Sequence, residues 1–214
     1  MQRPLVWTWI CKLSLRPRRY LGAQRHRVEH TAFVPWTEVP AFYASLEPDI
    51  VTHLALRLLI LTIGTRSRPL RFLRLNQIDG EVWTVPADQM KGRSGIGSDF
   101  RVPLSMQALD IIERAKPYAR DGYLFPSSRK GVISDATMAR LMERRGMDAR
   151  PHGFRSSFRT WCAEEAQAPW EVAEVRLAHS VGGKVERSYK RTDYLEQRRE
   201  LMQLWADFVA ERAS

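Results

Sequence analysis

The 214-residue chain carries 34 Lys and Arg against 24 Asp and Glu, which gives a formal net charge of +10. A surplus of this size favours a polyanionic partner such as nucleic acid. The two cysteines, Cys11 and Cys162, match no metal-ligand or disulfide spacing, which argues against a structural zinc site and a secreted disulfide scaffold. We therefore expect a reduced protein of the cytoplasm.

The N-terminal stretch is a basic arm. Its first 31 residues hold seven Lys or Arg and only Glu29 as an acid. It begins with an apolar run, but Lys12 interrupts the run and no small-residue cleavage site follows, so a targeting signal is rejected. The apolar window 54–64 is too short to span a bilayer, so no membrane partner is expected. We expect residues 1–34 to be an arm or linker and residues 35–214 to be one compact domain.

Helical patterns open this domain. Residues 35–49 predict a short helix that breaks at Glu47, before a proline. Residues 49–64 predict a buried helix that ends at Gly64, where glycine suits the left-handed stop of a helix.

A β-hairpin follows, and then further helices. Two β-rich runs flank a glycine-rich stretch, which is typical of an antiparallel hairpin. The runs are 81–87 and 99–105. Three later segments have helical spacing or capping signals, the first capped by Ser105 and the second capped by Ser134 and ended by Gly146. These segments are 106–119, 135–145 and 193–212, and the last carries an apolar stripe of Leu195, Leu201, Leu204, Trp205 and Phe208. The pattern predicts a mainly helical α+β domain.

Most familiar catalytic signatures are absent from the sequence. It contains no P-loop, no G-x-G-x-x-G, no H-E-x-x-H and no G-x-S-x-G, so nucleotide hydrolysis, hydride transfer and zinc peptidase chemistry lose their usual support. What remains is a scattered set of cations, imidazoles and tyrosines, each weak by itself.

The stretch 150–161, "RPHGFRSSFRTW", suggests an anion site. His152 and Arg155 are three residues apart and would share one helix face, and Pro151 is compatible with a helix that begins there. A helix N-terminus attracts phosphate, and an arginine fork can hold two phosphate oxygens. Taken alone, however, H-x-x-R is more often a solvated basic helix start, and Arg159 lies outside the motif.

The tract 176–199, "RLAHSVGGKVERSYKRTDYLEQRR", resembles the C-terminal box of the tyrosine recombinases, the phage-type integrases. In that family a Leu-Gly-His or similar triplet precedes the nucleophilic tyrosine by nine or ten residues, and here Tyr189 lies ten residues after His179. Other stretches resemble the remaining boxes in the right order. They are the first-arginine box at 61–75, the lysine hairpin at 82–105 and the H-x-x-R box at 152–155.

The resemblance covers roughly residues 20–212 and implies both a fold and a site. The fold is the catalytic-domain fold of tyrosine recombinases, the DNA breaking-rejoining enzymes, which is mainly α-helical with a small antiparallel sheet. The site is a set of six side chains: the first arginine, the hairpin lysine, the H-x-x-R pair, the second histidine and the tyrosine nucleophile. In this chain they are Arg66, Lys91, His152, Arg155, His179 and Tyr189. Tyr194 is a rival nucleophile, but its distance of fifteen residues from His179 is too long for the pattern.

The implied activity is site-specific cleavage and rejoining of double-stranded DNA through a 3′-phosphotyrosine intermediate, as in phage or genomic-island integration. The two arginines would bind the charge that develops on the phosphate. Lys91 would protonate the departing 5′ oxygen, His152 would help to remove the tyrosine proton, and His179 would hydrogen-bond the phosphate. No cofactor and no metal are needed. The implied partners are attachment-site DNA and further copies of the chain on that DNA, and the implied location is the bacterial cytoplasm, at the nucleoid.

The sequence departs from the family pattern at several positions. Pro69 stands where many members carry an acid that braces the first arginine, Gly153 replaces the usual acid of the H-x-x-R box, and Ala178 replaces a glycine before His179. The larger difference is length, because such integrases normally run to about twice this size, with arm-binding and core-binding regions.

These features predict the product of a truncated integrase gene, or of one read from an internal start, with strand cleavage at best and inefficient integration. Two other interpretations stay open. One is a catalytically inactive DNA-binding remnant or regulator. The other is a type IB topoisomerase, which would use the same pocket, although the integrase-like tail after Tyr189 counts against it.

Overall fold

The computed structural model describes residues 32–63, 66–90, 98–177 and 193–211. Almost all of the predicted basic arm lies outside these ranges, so its boundary with the domain stays a prediction. Val34 is buried in the core, and its carbonyl accepts a hydrogen bond from the Ser157 hydroxyl. The predicted helix stop at Gly64 also lies outside the described residues.

The first two helices differ in their surroundings. A 3-10 turn at Trp36–Glu38 leads into α1 (Val39–Ala44), which ends three residues before the predicted break at Glu47. The next helix, α2 (Val51–Thr62), is buried over most of its surface, and its Leu56, Leu58 and Ile60 side chains are completely buried. A helix that is mostly hydrophobic around its circumference belongs inside a domain. It is the central helix, as the apolar window predicts.

A small sheet follows the short helix α3 (Ser67–Arg71). Its strands are β1 (Ile78–Asp79), β2 (Val82–Val85) and β3 (Phe100–Pro103), in the order β1-β2-β3, and all neighbours are antiparallel. The β2–β3 register pairs Val85 with Phe100, as expected for the predicted hairpin, which is confirmed. The sequence missed β1, because a two-residue strand is too short to show an alternating pattern.

Of the two predicted helix caps, the one at Ser105 is confirmed and the one at Ser134 is wrong. Helix α4 (Met106–Ala115) begins as predicted, because the Ser105 side chain accepts a hydrogen bond from the Ala108 N–H at 3.2 Å. Helix α5 (Thr137–Arg144) begins two residues later than predicted. The Ser134 hydroxyl lies 2.8 Å from the Thr137 hydroxyl and does not cap the backbone of the helix. Gly146, with φ at +73°, follows the end of α5 as predicted.

Three more helices complete the described fold: α6 (Phe154–Glu164), α7 (Trp170–Arg176) and α8 (Leu195–Glu211). Helix α8 packs on its own domain, where Trp205 is fully buried and its indole N–H donates to the Ile60 carbonyl at 2.9 Å. The Trp161 and Trp205 rings lie 5.0 Å apart and lock α8 to α6.

One member of the predicted apolar stripe of α8 does not belong to its buried face. Leu204 is 57% exposed. It lies about 100° around the helix from Trp205, which places it beside the buried face.

In the part of the chain that the structure describes, no helix has the length and apolar composition needed to cross a bilayer.

Candidate active site

Arg66, His152 and Arg155, three of the six predicted site residues, line one pocket of about 290 Å³. Four different elements form this pocket: the end of α2, the start of α3, a face of α5 and the turn that opens α6. The full lining is Leu59, Ile63, Arg66, Ser67, Ala139, Arg150, Pro151, His152, Phe154 and Arg155. Residues that are 86 positions apart in sequence, such as Arg66 and His152, therefore meet at one cationic cleft.

Arg66 stands just before α3, in extended backbone with φ −83° and ψ 171°. Its side chain is half-buried, and its Nη1 atom is shielded from solvent without a hydrogen-bond partner. The position three residues later holds the buried Pro69, which offers no carboxylate. A buried donor without an acceptor costs free energy, so this nitrogen is suited to receive an anionic oxygen.

Arg155 is held more deeply, on the first turn of α6. It is 8% exposed, its Nη1 donates to the Ile63 carbonyl at 3.4 Å, and its Nη2 donates to the Leu177 carbonyl. Burial, together with the charge of Arg66, lowers the pKa of Arg155 to about 10. The guanidinium therefore stays protonated at neutral pH, and it lines the same pocket as the Arg66 side chain.

His152 lies in a 3-10 turn (Pro151–Gly153), so α6 begins at Phe154, three residues after the predicted start. The side chain is exposed at the mouth of the pocket. The next residue explains one departure from the family pattern. A Cβ at Gly153 would lie 2.7 Å from the Ala32 carbonyl oxygen, so the close approach of residues 32–33 leaves no room for a larger side chain.

Arg150 is a pocket residue that the sequence reasoning missed. Its Nη1 donates to the carbonyls of Met147, Asp148 and Ala149 at 3.0, 3.1 and 3.2 Å. These hydrogen bonds hold the guanidinium group of an exposed side chain at the edge of the pocket. The sequence feature that could have indicated its role is its place in the stretch "ARPHGFR", two residues before His152.

Arg176 is a second cation that no sequence signal revealed. It is completely buried at the end of α7, and its Nη2 donates to the Thr62 carbonyl while Nε and Nη1 have no hydrogen-bond partner. Burial, followed by the charges of Arg198 and Arg155, lowers the pKa of Arg176 well below its ordinary value. The side chain ties the end of α7 to the end of α2, beside Arg155.

Arg159, one helical turn after Arg155, faces away from this pocket. It forms an ion pair with Glu174 of α7 and lines a separate cavity of about 430 Å³ together with Cys162 and Trp170. This agrees with the sequence interpretation that Arg159 is a neighbouring helix residue.

Lys91, His179 and Tyr189 lie outside the described residues, and their predicted roles stay predictions. The described chain stops at Met90, one residue before Lys91, and at Leu177, two residues before His179. It resumes at Asp193, four residues after Tyr189. The rival tyrosine, Tyr194, is half-buried and packs against the hydrophobic core.

The described part of the site is suited to binding a phosphate group. Three arginines and one histidine line the pocket, and one guanidinium nitrogen, Arg66 Nη1, has no acceptor. Arginine forks match the tetrahedral oxygens of phosphate, and in a poorly solvated pocket such contacts are stronger than in water. Among the described residues, no group of three His, Cys, Asp or Glu side chains is arranged to hold a metal ion.

Comparisons with known proteins identify phage and prophage integrases as relatives of this chain. The model of the phage integrase family matches residues 33–196. The chain is 35% identical over 193 residues to prophage integrase IntZ of Escherichia coli (strain K12), a match that covers 86% of this chain and 46% of that protein. It is 30% identical over 198 residues to the integrase of Shigella phage Sf6, with 87% of this chain and 50% of that protein covered. The chain thus spans about half the length of the curated relatives it matches.

A solved structure shares the fold. The integrase from mycobacterium phage Brujita superposes with a TM-score of 0.59 at 18% identity, over 85% of this chain and 65% of that one. The predicted fold, mainly helical with a small antiparallel sheet, is therefore confirmed. Because the family match runs through the first-arginine box, the hairpin and the H-x-x-R box, the chain belongs to the phage integrase family.

Proposed function

We propose that this chain is the catalytic domain of a site-specific DNA recombinase, which cleaves and rejoins double-stranded DNA through a 3′-phosphotyrosine intermediate. The observation that supports it best is the pocket itself. Arg66, His152 and Arg155 line it together, and Arg66 Nη1 is buried there without a hydrogen-bond partner. A scissile phosphate would supply the missing acceptor.

In the proposed reaction the Tyr189 hydroxyl oxygen attacks the phosphorus, and the bond from phosphorus to the 5′ oxygen breaks. His152 receives the phenol proton, and the Lys91 ammonium gives a proton to the departing 5′ oxygen. Arg66 and Arg155 hold the non-bridging oxygens, whose negative charge grows in the transition state. His179 donates a further hydrogen bond to the phosphate.

The intermediate conserves the energy of the phosphodiester. A phosphotyrosine bond replaces the bond to the 5′ oxygen, so a 5′-hydroxyl of another strand can attack it and release the tyrosine. Strand exchange then needs no nucleotide hydrolysis. Exchange between two DNA sites also needs several active copies, so we propose that the chain acts as a homo-oligomer assembled on DNA, in the bacterial cytoplasm.

The reaction can be tested without knowing the target sequence. A pool of nicked duplexes with randomised sequence is incubated with the protein, because cleavage near a nick releases a short 5′-hydroxyl fragment and traps the covalent adduct. We expect an SDS-stable adduct that disappears in Tyr189→Phe and persists in Tyr194→Phe. An adduct that persists in Tyr189→Phe would overturn the assignment of the nucleophile.

A pair of arginine variants tests the pocket itself. Arg66→Gln should slow adduct formation by about 10²–10³-fold, the usual cost of removing one donor to a developing oxyanion. The control is Arg159→Gln, which changes an arginine outside the pocket and should react at the wild-type rate.

Two outcomes favour other functions. DNA binding without any adduct in the wild-type protein would favour an inactive DNA-binding remnant. Relaxation of supercoiled plasmid without site preference would favour a type IB topoisomerase.

A further inference from the structure

Asp193 is held by two arginines at the point where the described chain resumes. Its Oδ2 accepts from Arg101 Nε at 3.1 Å and its Oδ1 accepts from Arg101 Nη2 at 2.9 Å, which is a two-bond fork. Its Oδ2 also accepts from Arg198 Nη2 at 3.1 Å. Arg101 belongs to β3 and Arg198 to α8, so one carboxylate joins the sheet to the last helix. Asp193, Arg101 and Arg198 are called the Asp193 clamp below.

Arg198, the buried arginine of the Asp193 clamp, is fixed in the core. The Arg198 side chain is fully buried, its Nη1 donates to the Arg101 carbonyl at 2.8 Å, and its guanidinium lies 5.1 Å from the centre of the Phe100 ring. A buried guanidinium needs a compensating charge, and the carboxylate that Arg198 meets among the described residues is that of Asp193. The position of Asp193 is therefore set by the core.

The residue after Asp193 is held in an uncommon conformation. Tyr194 has φ at +53°, in the left-handed region, which is rare for a bulky side chain. Its carbonyl accepts from the Arg198 N–H at 2.9 Å, and its ring packs against the core. Such a conformation persists only where the surroundings fix it, so the junction between Asp193 and α8 is closely defined.

Chain length connects this clamp to the proposed nucleophile. Asp193 lies four positions after Tyr189, and a fully extended chain covers about 3.3–3.6 Å per residue, so the two Cα atoms are at most about 14 Å apart. At the other end of the same segment, the Leu177 carbonyl accepts from Arg155, a proposed catalytic residue. The stretch that carries His179 and Tyr189 therefore has one anchor on the phosphate pocket and one on β3.

We propose that Asp193 is a positioning residue for Tyr189: through Arg101 and Arg198 it fixes the C-terminal anchor of the nucleophile segment on β3. This inference rests on the proposed function, because it concerns the reach of the proposed nucleophile. Restricting that reach raises the fraction of time in which the phenol oxygen can attack the phosphorus. It should change the rate of attack on bound DNA and leave DNA affinity unchanged.

The main test is Arg101→Gln, because Arg101 is half-exposed and its loss leaves the Arg198–Asp193 pair in place. We expect adduct formation at saturating nicked DNA to slow by about tenfold or more, with an unchanged Kd for DNA and an unchanged Tm. Asp193→Asn should slow it further, and the double variant should be no slower than Asp193→Asn alone, because the two residues act through one contact.

The matched control is Glu81→Gln. It breaks a neighbouring ion pair between the β1–β2 turn and α8, in which Arg199 Nη1 lies 2.6 Å from Glu81 Oε2, but this pair does not touch Asp193. The control should keep the wild-type rate. A wild-type rate in Arg101→Gln would overturn the inference, and so would a rate loss matched by an equal loss of DNA affinity, since that would place Arg101 on the DNA.

A second measurement separates this inference from the proposed function. Amide hydrogen exchange in peptides from 178–192 should become faster in Arg101→Gln and Asp193→Asn and stay unchanged in Glu81→Gln. Unchanged exchange in all three would overturn the inference even if the wild-type protein forms adducts. Faster exchange in the two clamp variants would support it even if the wild-type protein forms none.

Discussion

Replacing Gly153 by alanine probes the contact between the H-x-x-R turn and the chain that precedes α1. The new Cβ would lie 2.7 Å from the Ala32 carbonyl oxygen and 2.9 Å from the Phe33 Cα. Both are backbone atoms, so neither can rotate away. Gly153 itself has φ −61° and ψ −26°, a helical conformation that alanine adopts easily. Any loss of stability would therefore come from the contact.

The expected loss of stability in Gly153→Ala depends on how firmly residues 32–34 are held. The segment cannot swing outward freely, because Val34 is 5% exposed and its carbonyl accepts from the Ser157 hydroxyl. Overpacking of this kind costs about 1–3 kcal/mol. For a domain of this size, 2 kcal/mol corresponds to a fall in Tm of roughly 4–8 °C. Because Gly153 lies between His152 and Arg155, adduct formation should slow as well, by about tenfold for a small displacement.

Thermal unfolding and the nicked-duplex assay measure the two effects. The control is Gly80→Ala, in the turn between β1 and β2, where φ is +52° and nothing lies within 4 Å of the new Cβ. It should lose about 1–2 kcal/mol through backbone strain alone and keep the wild-type rate of adduct formation. If Gly153→Ala melts within 1 °C of the wild type and reacts at the wild-type rate, the close approach of residues 32–33 does not constrain the motif.

Three further perturbations have outcomes set by single contacts. Ser105→Ala removes the cap of α4 and should lower the free energy of unfolding by about 1 kcal/mol, whereas Met106→Ala, at a 69% exposed position, should not change Tm appreciably. Burial, followed by the charge of Arg145, lowers the pKa of His53 below its ordinary 6.5, and its Nδ1 accepts from the Glu47 N–H. The unfolded chain then binds more protons, so this stability is present above pH 6.5 and is lost as the pH falls; His53→Gln should show a smaller drop in Tm between pH 7 and pH 5. Inorganic phosphate at ten times its Kd should stabilise the wild type by about 1.4 kcal/mol and stabilise Arg66→Gln less, and equal Tm shifts in the two proteins would contradict binding at this pocket.

The sequence predicts the elements whose signal is local and repeated. The β-rich runs of β2 and β3 and the mostly apolar run of α2 need no knowledge of distant contacts, and both are where the pattern placed them. The predicted cap at Ser134 is wrong, because its hydroxyl contacts the Thr137 hydroxyl and the helix begins at Thr137. The next residue, Asp135, forms an ion pair with Arg71 of α3 at 2.9 Å, a contact between distant residues that the local pattern does not show.

The residues of the candidate site also differ in whether the sequence alone could reveal them. Arg66, His152 and Arg155 could be selected because ordered motifs surround them. Arg176 could not, because an arginine near the end of a short amphipathic helix has no sequence feature that distinguishes a buried guanidinium from a solvated one. Its burial depends on the carbonyl of Thr62, more than a hundred residues away. Only the fold brings these partners together.

The end of α2 explains how the pocket can hold its arginines firmly and still attract an anion. Arg176 donates to the Thr62 carbonyl and Arg155 to the Ile63 carbonyl, at a helix end whose carbonyls lack helical partners and carry the negative end of the helix dipole. A carboxylate in that place would also orient the guanidinium groups, but it would cancel most of the field that a phosphate experiences. Carbonyl partners fix the geometry and leave most of the positive charge uncompensated. The burial that lowers the pKa of Arg155 also places its charge where few waters compete for it. In the proposed reaction, such a preorganised site would stabilise the charge that develops on the phosphate without reorganisation of solvent.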